Sequence, residues 1–510
     1  MKSILRVASL AAVSLSVAIT VALTGCAIQG QVVATSTPDA SGAPAGFESY
    51  YGQTVEWTSC GDRLQCANVA APTNWEDPTS EPISLAINRH MAQQQPALGN
   101  LVMNPGGPGE SAVEFVRTSV DRAVDARLRE DFNIVGVDPR GVGESTNVTC
   151  FTDPADLDNA LYGIPSGDRG SDEWNADVTS ATTAFGQACL ENTGALLAHV
   201  DTPSVARDMD MIRAVMGDEK LNFLGYSYGT FVGATYADLF PERVGRMVLD
   251  GAIDPTVSSD EGLYGQVISF ESALDAYLAW CVTGGDCPLG DSVVEAGTAL
   301  KVMLADVDAN PIQNADGRLL GGDTLVTGLL WPLYDDAAWP QLSDIIAATL
   351  DGDPAPAFDS ADAYNGRAPD GTYDNSTDAF FAINCVDSPP TSDATSSRFS
   401  EQLLRDAPIL GPYLSGSIDG CANWPVPLRG SLDPIRAVGA PDILIIGTTN
   451  DPATPYDSAV SLSKQMVSSH LVTLDGEGHT AYNRGIACID DIVDAYFLTG
   501  AIPADGVLCK

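Results

Sequence analysis

The sequence predicts an α/β fold: a mostly parallel sheet with helices on both faces, and a mainly helical lid inserted before one of the last strands. Three observations predict it. Apolar runs that read as buried strands end at Asn104, Asp138 and Gly225, and each opens into a glycine-rich loop, as at the carboxyl edge of a parallel sheet. Between residues 256 and 436 that rhythm gives way to helix-like segments joined by Asp/Gly/Pro/Ser-rich connectors. At Asp442 the strand rhythm returns.

Taken in order, residues 1–25 read as an export signal. Lys2 and Arg6 form a basic head, and residues 7–23 are almost wholly apolar or small. Leu23-Thr24-Gly25-Cys26 resembles the bacterial lipobox, whose cysteine is lipidated, so Cys26 is the expected anchor to the cell membrane. Residues 26–48 are rich in Ala, Gly, Ser, Thr and Pro and read as a flexible tether. The core is expected in two parts, 49–255 and 437–510, with the lid at 256–436 between them.

Short strands are expected at 55–57 and 83–87. Leu101-Val102-Met103 follows as a buried strand entering Asn104-Pro105-Gly106-Gly107-Pro108-Gly109, with a helix starting at Ser111. A strand runs over 132–138, a helix over 204–216, and then the apolar run from Leu221. That run ends in Gly225-Tyr226-Ser227-Tyr228-Gly229, ahead of a helix over 230–239 and a strand over 246–250. Within the insertion, helices are expected at 266–280, 295–307 and 339–350. Strands at 442–447 and 471–474, the latter expected to be the last, and a helix at 490–498 close the chain.

Composition narrows the class. Twenty-five basic residues against 68 acidic ones leave a net charge of −43, which argues against nucleic acid and anionic membrane surfaces as partners. Ten of the 11 cysteines remain once Cys26 is set aside, an even set suited to an oxidising exterior. Nearest-neighbour pairing, Cys60–Cys66, Cys150–Cys189, Cys281–Cys287, Cys385–Cys421 and Cys488–Cys509, closes only local loops. No paired C-x-x-C, His-rich segment or H-E-x-x-H is present, so no metal site is expected.

The chemistry converges on Ser227. A serine in a tight strand-to-helix turn exposes its hydroxyl at the sheet edge, above a helix N-terminus. It needs a base to take its proton, and a neutral His held by a carboxylate supplies one. Of four histidines, His90 and His470 lie in or beside strands and His199 precedes a helix. His479, in Gly478-His479-Thr480 just past the last expected strand, is the candidate base. Two acids compete to orient it. Asp451 and Asp250 both follow strands that end at the active edge, and Asp451, after the insertion, is preferred from chain position. The Gly106-Gly107 loop exposes backbone N–H groups without side chains in the way, as an oxyanion site requires.

These motifs together, with Asp138–Ser145, Val248-Leu249-Asp250-Gly251 and Asn384-Cys385-Val386-Asp387, resemble the α/β-hydrolase serine peptidases related to proline iminopeptidase. The nearest likeness is to the secreted tripeptidyl aminopeptidases of bacteria. The resemblance spans the chain from about Trp57 to Cys509. Two departures stand out: Asn104-Pro105 where proline iminopeptidases carry His, and Glu110 where a small residue is common. The resemblance implies Ser227 as nucleophile, His479 as base and Asp451 as orienter. The oxyanion donors are the N–H groups of Tyr228 and of one glycine of the pair, with Gly107 preferred. It implies peptide substrates with a free amino terminus and no cofactor. A carboxylate should receive the α-amine; Asp387 is preferred and Glu110 is held in reserve. Two rivals stay open: a lipid-anchored carboxylesterase on the same fold, and a catalytically dead binding protein.

Overall fold

In the computed structural model the described residues are 32–285, 287–389, 393–415, 421–504 and 506–510. The expected export signal and Cys26 lie outside them. Among the described residues no helix is long and apolar enough to cross a membrane.

The strands are β1 (Val32–Thr35), β2 (Glu56–Gly61), β3 (Leu64–Pro72), β4 (Pro82–His90), β5 (Gly99–Asn104), β6 (Phe132–Val137), β7 (Leu221–Tyr226), β8 (Val244–Asp250), β9 (Ile312–Gln313), β10 (Leu319–Leu320), β11 (Ile443–Asn450), β12 (Ser469–Glu477) and β13 (Val507–Cys509). All but β9 and β10 join one 11-stranded sheet, in the order β1-β2-β3-β4-β6-β5-β7-β8-β11-β12-β13. From β1 to β4 and on to β6 the pairing is antiparallel; from β6 to β13 every pair is parallel. The central parallel strands are buried on both faces, so their side chains alternate between two cores. Phe223, Met247, Leu249, Ile443 and Ile445 enter one. Leu224, Val248, Leu444 and Ile446 enter the other.

Parallel neighbours need crossovers, and the helices that supply them carry ordinary start signals. Ser111 caps Ala112–Ala123 by accepting the Glu114 N–H. Asp201 caps Thr202–Met216, and Gly217 ends that helix in the left-handed conformation. Tyr228–Leu239 follows β7 with only Ser227 between them.

Except for Ser376–Asp387, whose Ala379, Ala382, Ile383 and Val386 join the core against the sheet, the helices from Ser259–Gly284 to Gly411–Leu414 surround their own apolar core, which includes Leu274, Leu300, Leu329, Ile346 and Leu403. Two further helices, which the sequence reading left unassigned, lie between β6 and β7: Pro154–Tyr162 reaches the same region, whereas Asp172–Thr193 places Phe185 and Cys189 in the core against the sheet. Tyr162 is buried in the helical core and donates to Asp362 at 2.7 Å, and Asp158 pairs with Arg367 at 2.8 Å. Few buried positions mark Asp172–Thr193 (Trp174, Phe185, Gly186 and Cys189), so its apolar face is too thin to read from periodicity.

Two expectations need correction. The stretch read as a tether is docked from Val32 onward: β1 pairs with β2, and Phe47 is buried in the core. Backbone hydrogen bonds to neighbouring elements, invisible to composition, hold it there. A further strand, β13, follows the 471–474 run, and the Cys488–Cys509 disulfide ties it to the last helix. All five disulfides join nearest neighbours in the chain.

Candidate active site

The strand endings of β5, β7, β8, β11 and β12 meet at one edge of the sheet. Ser227, immediately after β7, holds φ 53° and ψ −123°, a conformation rare for any residue with a Cβ. Its N–H donates to the Asp250 carbonyl at 2.9 Å, and its own carbonyl accepts the Thr230 N–H at 2.8 Å. The Asn104 loop packs directly on the turn. A Cβ added to Gly106 would stand 2.8 Å from the Ser227 Cβ and 3.2 Å from the Tyr228 nitrogen, so only glycine permits this approach. The Gly106 N–H is engaged by the Asn104 side chain at 3.0 Å. The Gly107 and Tyr228 N–H groups make no hydrogen bond to the described residues, Tyr228 opening a helix whose first donors have no intrahelical partner.

On the other side of Ser227, His479 lies just past β12. Its Nδ1 bonds to Asp451 Oδ1 at 2.9 Å and Oδ2 at 3.0 Å. Asp451 is 2% exposed. Its carboxylate also accepts the N–H groups of Ala453 (2.9 Å), Thr454 (2.8 Å) and Thr480 (3.2 Å), and the Thr454 hydroxyl (3.0 Å). Surrounded by donors, the Asp451 side chain acts as an acceptor toward the ring, which places the imidazole proton on Nδ1 and turns Nε2 into the acceptor. The imidazole is stacked edge-on against Tyr334, with ring centres 5.4 Å apart, and the His479 N–H donates to the Tyr334 carbonyl at 2.7 Å. It also crowds Gly251, where an added Cβ would lie 3.2 Å from His479 Cε1.

Asp250 does not reach the imidazole. Its side chain accepts N–H groups beyond it, from Ala481 and Tyr482. The remaining histidines lie elsewhere: His90 on β4, His199 ahead of Thr202–Met216 with its carbonyl accepting from Arg140, and His470 on β12 bonded to Asp442. No group of His, Cys, Asp and Glu among the described residues is arranged to hold a metal ion.

A strained serine after a buried strand, a carboxylate-held histidine and glycine-backed N–H groups together form the equipment of serine hydrolysis. Residues 407–509 match the family described as TAP-like protein, an α/β-hydrolase group. The serine protease Hip1 of Mycobacterium tuberculosis is 37% identical over 487 residues, covering 91% of this chain and 92% of that protein. The chain belongs to the TAP-like α/β-hydrolase family. Carboxylesterase B of Mycobacterium tuberculosis is 34% identical, covering 89% of each chain. The tripeptidyl aminopeptidase of Streptomyces lividans is 32% identical, covering 89% of this chain and 86% of that one. This TAP-like chain is a serine hydrolase.

Two further acids of this TAP-like hydrolase lie near the elbow in different states. Asp387, at the end of helix Ser376–Asp387, accepts the Thr202 N–H at 2.8 Å on Oδ1 and the Thr202 hydroxyl at 2.6 Å on Oδ2. Tyr228 donates weakly to the same Oδ2, at 3.5 Å, and its hydroxyl also bonds to that of Thr202. Burial pushes the Asp387 carboxyl up to about 7, against the opposing pull of the Thr202 bonds. Its oxygens are therefore occupied. Glu110, beside the Gly107 loop, makes no hydrogen bond or ion pair to the described residues, although solvent reaches it. Burial of its carboxyl raises its pKa, and the charge of Asp374 adds to this. Tyr334, whose own pKa is raised by burial and then by Tyr364, also feels the Glu110 charge. Tyr334 has no sequence signal, because it follows an apolar helix like any other end residue.

Proposed function

We propose that this chain is an exported serine exopeptidase that releases short N-terminal peptides, tripeptides foremost, from substrates with a free amino terminus. The observation that carries the reading is His479, bonded to both oxygens of buried Asp451 and packed against Gly251, next to the residue whose carbonyl receives the Ser227 N–H. In this reading Ser227 Oγ attacks the scissile carbonyl and gives its proton to His479 Nε2. The N–H groups of Tyr228 and Gly107 receive the oxyanion, Gly106 being already engaged. His479 then protonates the departing amine, and water hydrolyses the acyl-enzyme by the reverse proton path. Asp451 orients the ring throughout.

Recognition of the α-amine passes to Glu110. Among the described residues its carboxylate has no hydrogen-bond or ion-pair partner, whereas both oxygens of Asp387 are filled by Thr202 and Tyr228. Asp387 becomes the second choice. The names of the Hip1 and tripeptidyl aminopeptidase relatives support a peptide substrate. The carboxylesterase B relative supports the second reading, an esterase built on the same elbow. Export, with a lipid anchor on Cys26, is supported by the signal-like N-terminus and the five disulfides.

One substrate panel tests the reading: a free-amine tripeptide anilide, its N-acetyl form and a simple acyl ester. The parent should prefer the free amine, and Ser227→Ala should abolish turnover. Glu110→Gln should raise KM for the free amine about tenfold and narrow the gap to the acetylated form. Equal cleavage of free and acetylated peptides overturns the exopeptidase reading, and turnover of the ester alone establishes the second one.

A further inference from the structure

Beneath His479 lies a second carboxylate that the Ser227–His479–Asp451 chemistry leaves unused. Asp250 ends β8 and is fully buried. Its main chain holds the nucleophile, because its carbonyl accepts the Ser227 N–H at 2.9 Å. Its side chain holds the histidine loop. Oδ1 and Oδ2 accept the Ala481 N–H at 3.1 and 3.0 Å, and Oδ2 accepts the Tyr482 N–H at 2.8 Å. The following residue, Gly251, donates to the Ile446 carbonyl on β11 at 3.1 Å, which locks the Asp250 backbone to the sheet.

The histidine loop needs such a clamp. Thr480, directly after His479, is a β-branched residue at φ 63°. Three consecutive N–H groups around it converge on two buried carboxylates: Thr480 on Asp451, then Ala481 and Tyr482 on Asp250. A carboxylate suits two adjacent donors because it is acceptor-only. An amide would turn its NH2 toward one of them.

We propose that Asp250 is a positioning residue that sets the placement of His479 relative to Ser227, while Asp451 orients the ring. The proposal rests on the reading of Ser227 and His479 as nucleophile and base. Asp250 acts through backbone at both ends and touches no reacting atom. The titratable groups facing it are His479 and Asp451 from the loops after β12 and β11, and Tyr226 from β7. Burial pushes its carboxyl up to about 6, against the pull of the Tyr482 and Ala481 N–H groups. Protonation weakens the clamp, so the loss of activity on acidification takes up one proton more than the base alone accounts for.

The test is steady-state kinetics of the full chain on a peptide anilide as a function of pH, for the parent, Asp250→Asn and Ser227→Ala. Asp250→Asn should lower kcat about a hundredfold with KM within twofold, the scale expected for a misplaced base. Its acid limb should lose one proton relative to the parent. A kcat within twofold of the parent, an unchanged acid limb, or a change confined to KM overturns the proposal. Should Asp250→Asn not fold, the parent decides: an acid limb steeper than one proton upholds the clamp, and a single-proton limb overturns it. Activity surviving in Ser227→Ala would instead refute the underlying nucleophile reading.

Discussion

At the scale of single residues, the site is built where ordinary backbone rules are broken. Ser227 at φ 53° and Thr480 at φ 63° each hold strain of order 1–3 kcal/mol, and each is fixed by backbone hydrogen bonds to a neighbouring strand end or buried acid. Gly251, at φ +70°, leaves little room for a side chain: an added Cβ would meet Thr454 Oγ1 and Thr480 Cγ2 at 3.1 Å and His479 Cε1 at 3.2 Å, so these neighbours would have to shift. Gly251→Ala should therefore push the imidazole off its place while leaving Ser227, His479 and Asp451, the proposed catalytic groups, all present. We expect kcat to fall about tenfold to a hundredfold with a small change in KM. Stopped-flow kinetics should show the loss in acylation, and an unaltered acylation rate would contradict the packing account.

Among the elements, the histidine loop is joined directly to the helical block between β8 and β11. The His479 N–H donates to the Tyr334 carbonyl, and Arg484 spans both sides. Its Nη1 donates to the Glu477 and Thr480 carbonyls at 3.0 and 3.1 Å; its Nη2 reaches Asp335 and Asp336 at 3.0 and 3.1 Å. Both aspartates are about half exposed, so the ion pairs themselves contribute little to stability. The two carbonyl bonds matter more, since they brace the loop that carries His479. Arg484→Ala should change kcat and KM together, lowering kcat/KM about tenfold, with only a small shift in Tm. A variant with parental kinetics and a lowered Tm would assign Arg484 to folding alone.

For the molecule as a whole, the notable feature is how many acids are buried in an already acidic chain. Burial pushes the carboxyls of Asp250, Asp378 and Asp494 up to about 6, and that of Asp387 to about 7. Each binds its proton more tightly in the folded state than in the unfolded chain. The stability each contributes is thus fully present below the ordinary carboxylate value and is lost as pH rises through 6 to 7. Self-repulsion among the charges behind a net −43 acts in the same direction. Tm should therefore be higher at pH 5 than at pH 7.5. Asp378 offers a clean probe, because Oδ2 accepts the Cys150 N–H at 2.8 Å while Oδ1 is buried with no hydrogen-bond partner among the described residues. Asp378→Asn can keep that bond and removes the charge, so its Tm at pH 7.5 should rise by about 2–4 °C and its pH dependence should flatten. A Tm that climbs from pH 5 to 7.5 would reverse the sign of the argument.

The sequence by itself determined what short-range pattern encodes. The apolar runs of β5, β6, β7, β8, β11 and β12, the glycine loops at their ends, the Gly225–Gly229 turn and the nearest-neighbour cysteines all lie within stretches of a few tens of residues or fewer. Strand period, turn chemistry and local loop closure act at that range. Chain position favours Asp451 over Asp250 as the partner of His479, but the contact itself is made only in the fold, where the loop after β12 brings the ring to Asp451 and the following N–H groups to Asp250. Tertiary structure likewise decided that Asp387, far along the chain, is spent on Thr202 and Tyr228, that Glu110 is unpaired among the described residues, and that Tyr334 backs the imidazole. It also docked residues from Val32 onward and the thinly amphipathic helix Asp172–Thr193, whose places depend on partners rather than on their own pattern. These outcomes turn on which side chains arrive at a shared point from distant parts of the chain. A hydrogen bond forms or fails over a few tenths of an ångström, and no spacing along the sequence carries that distance.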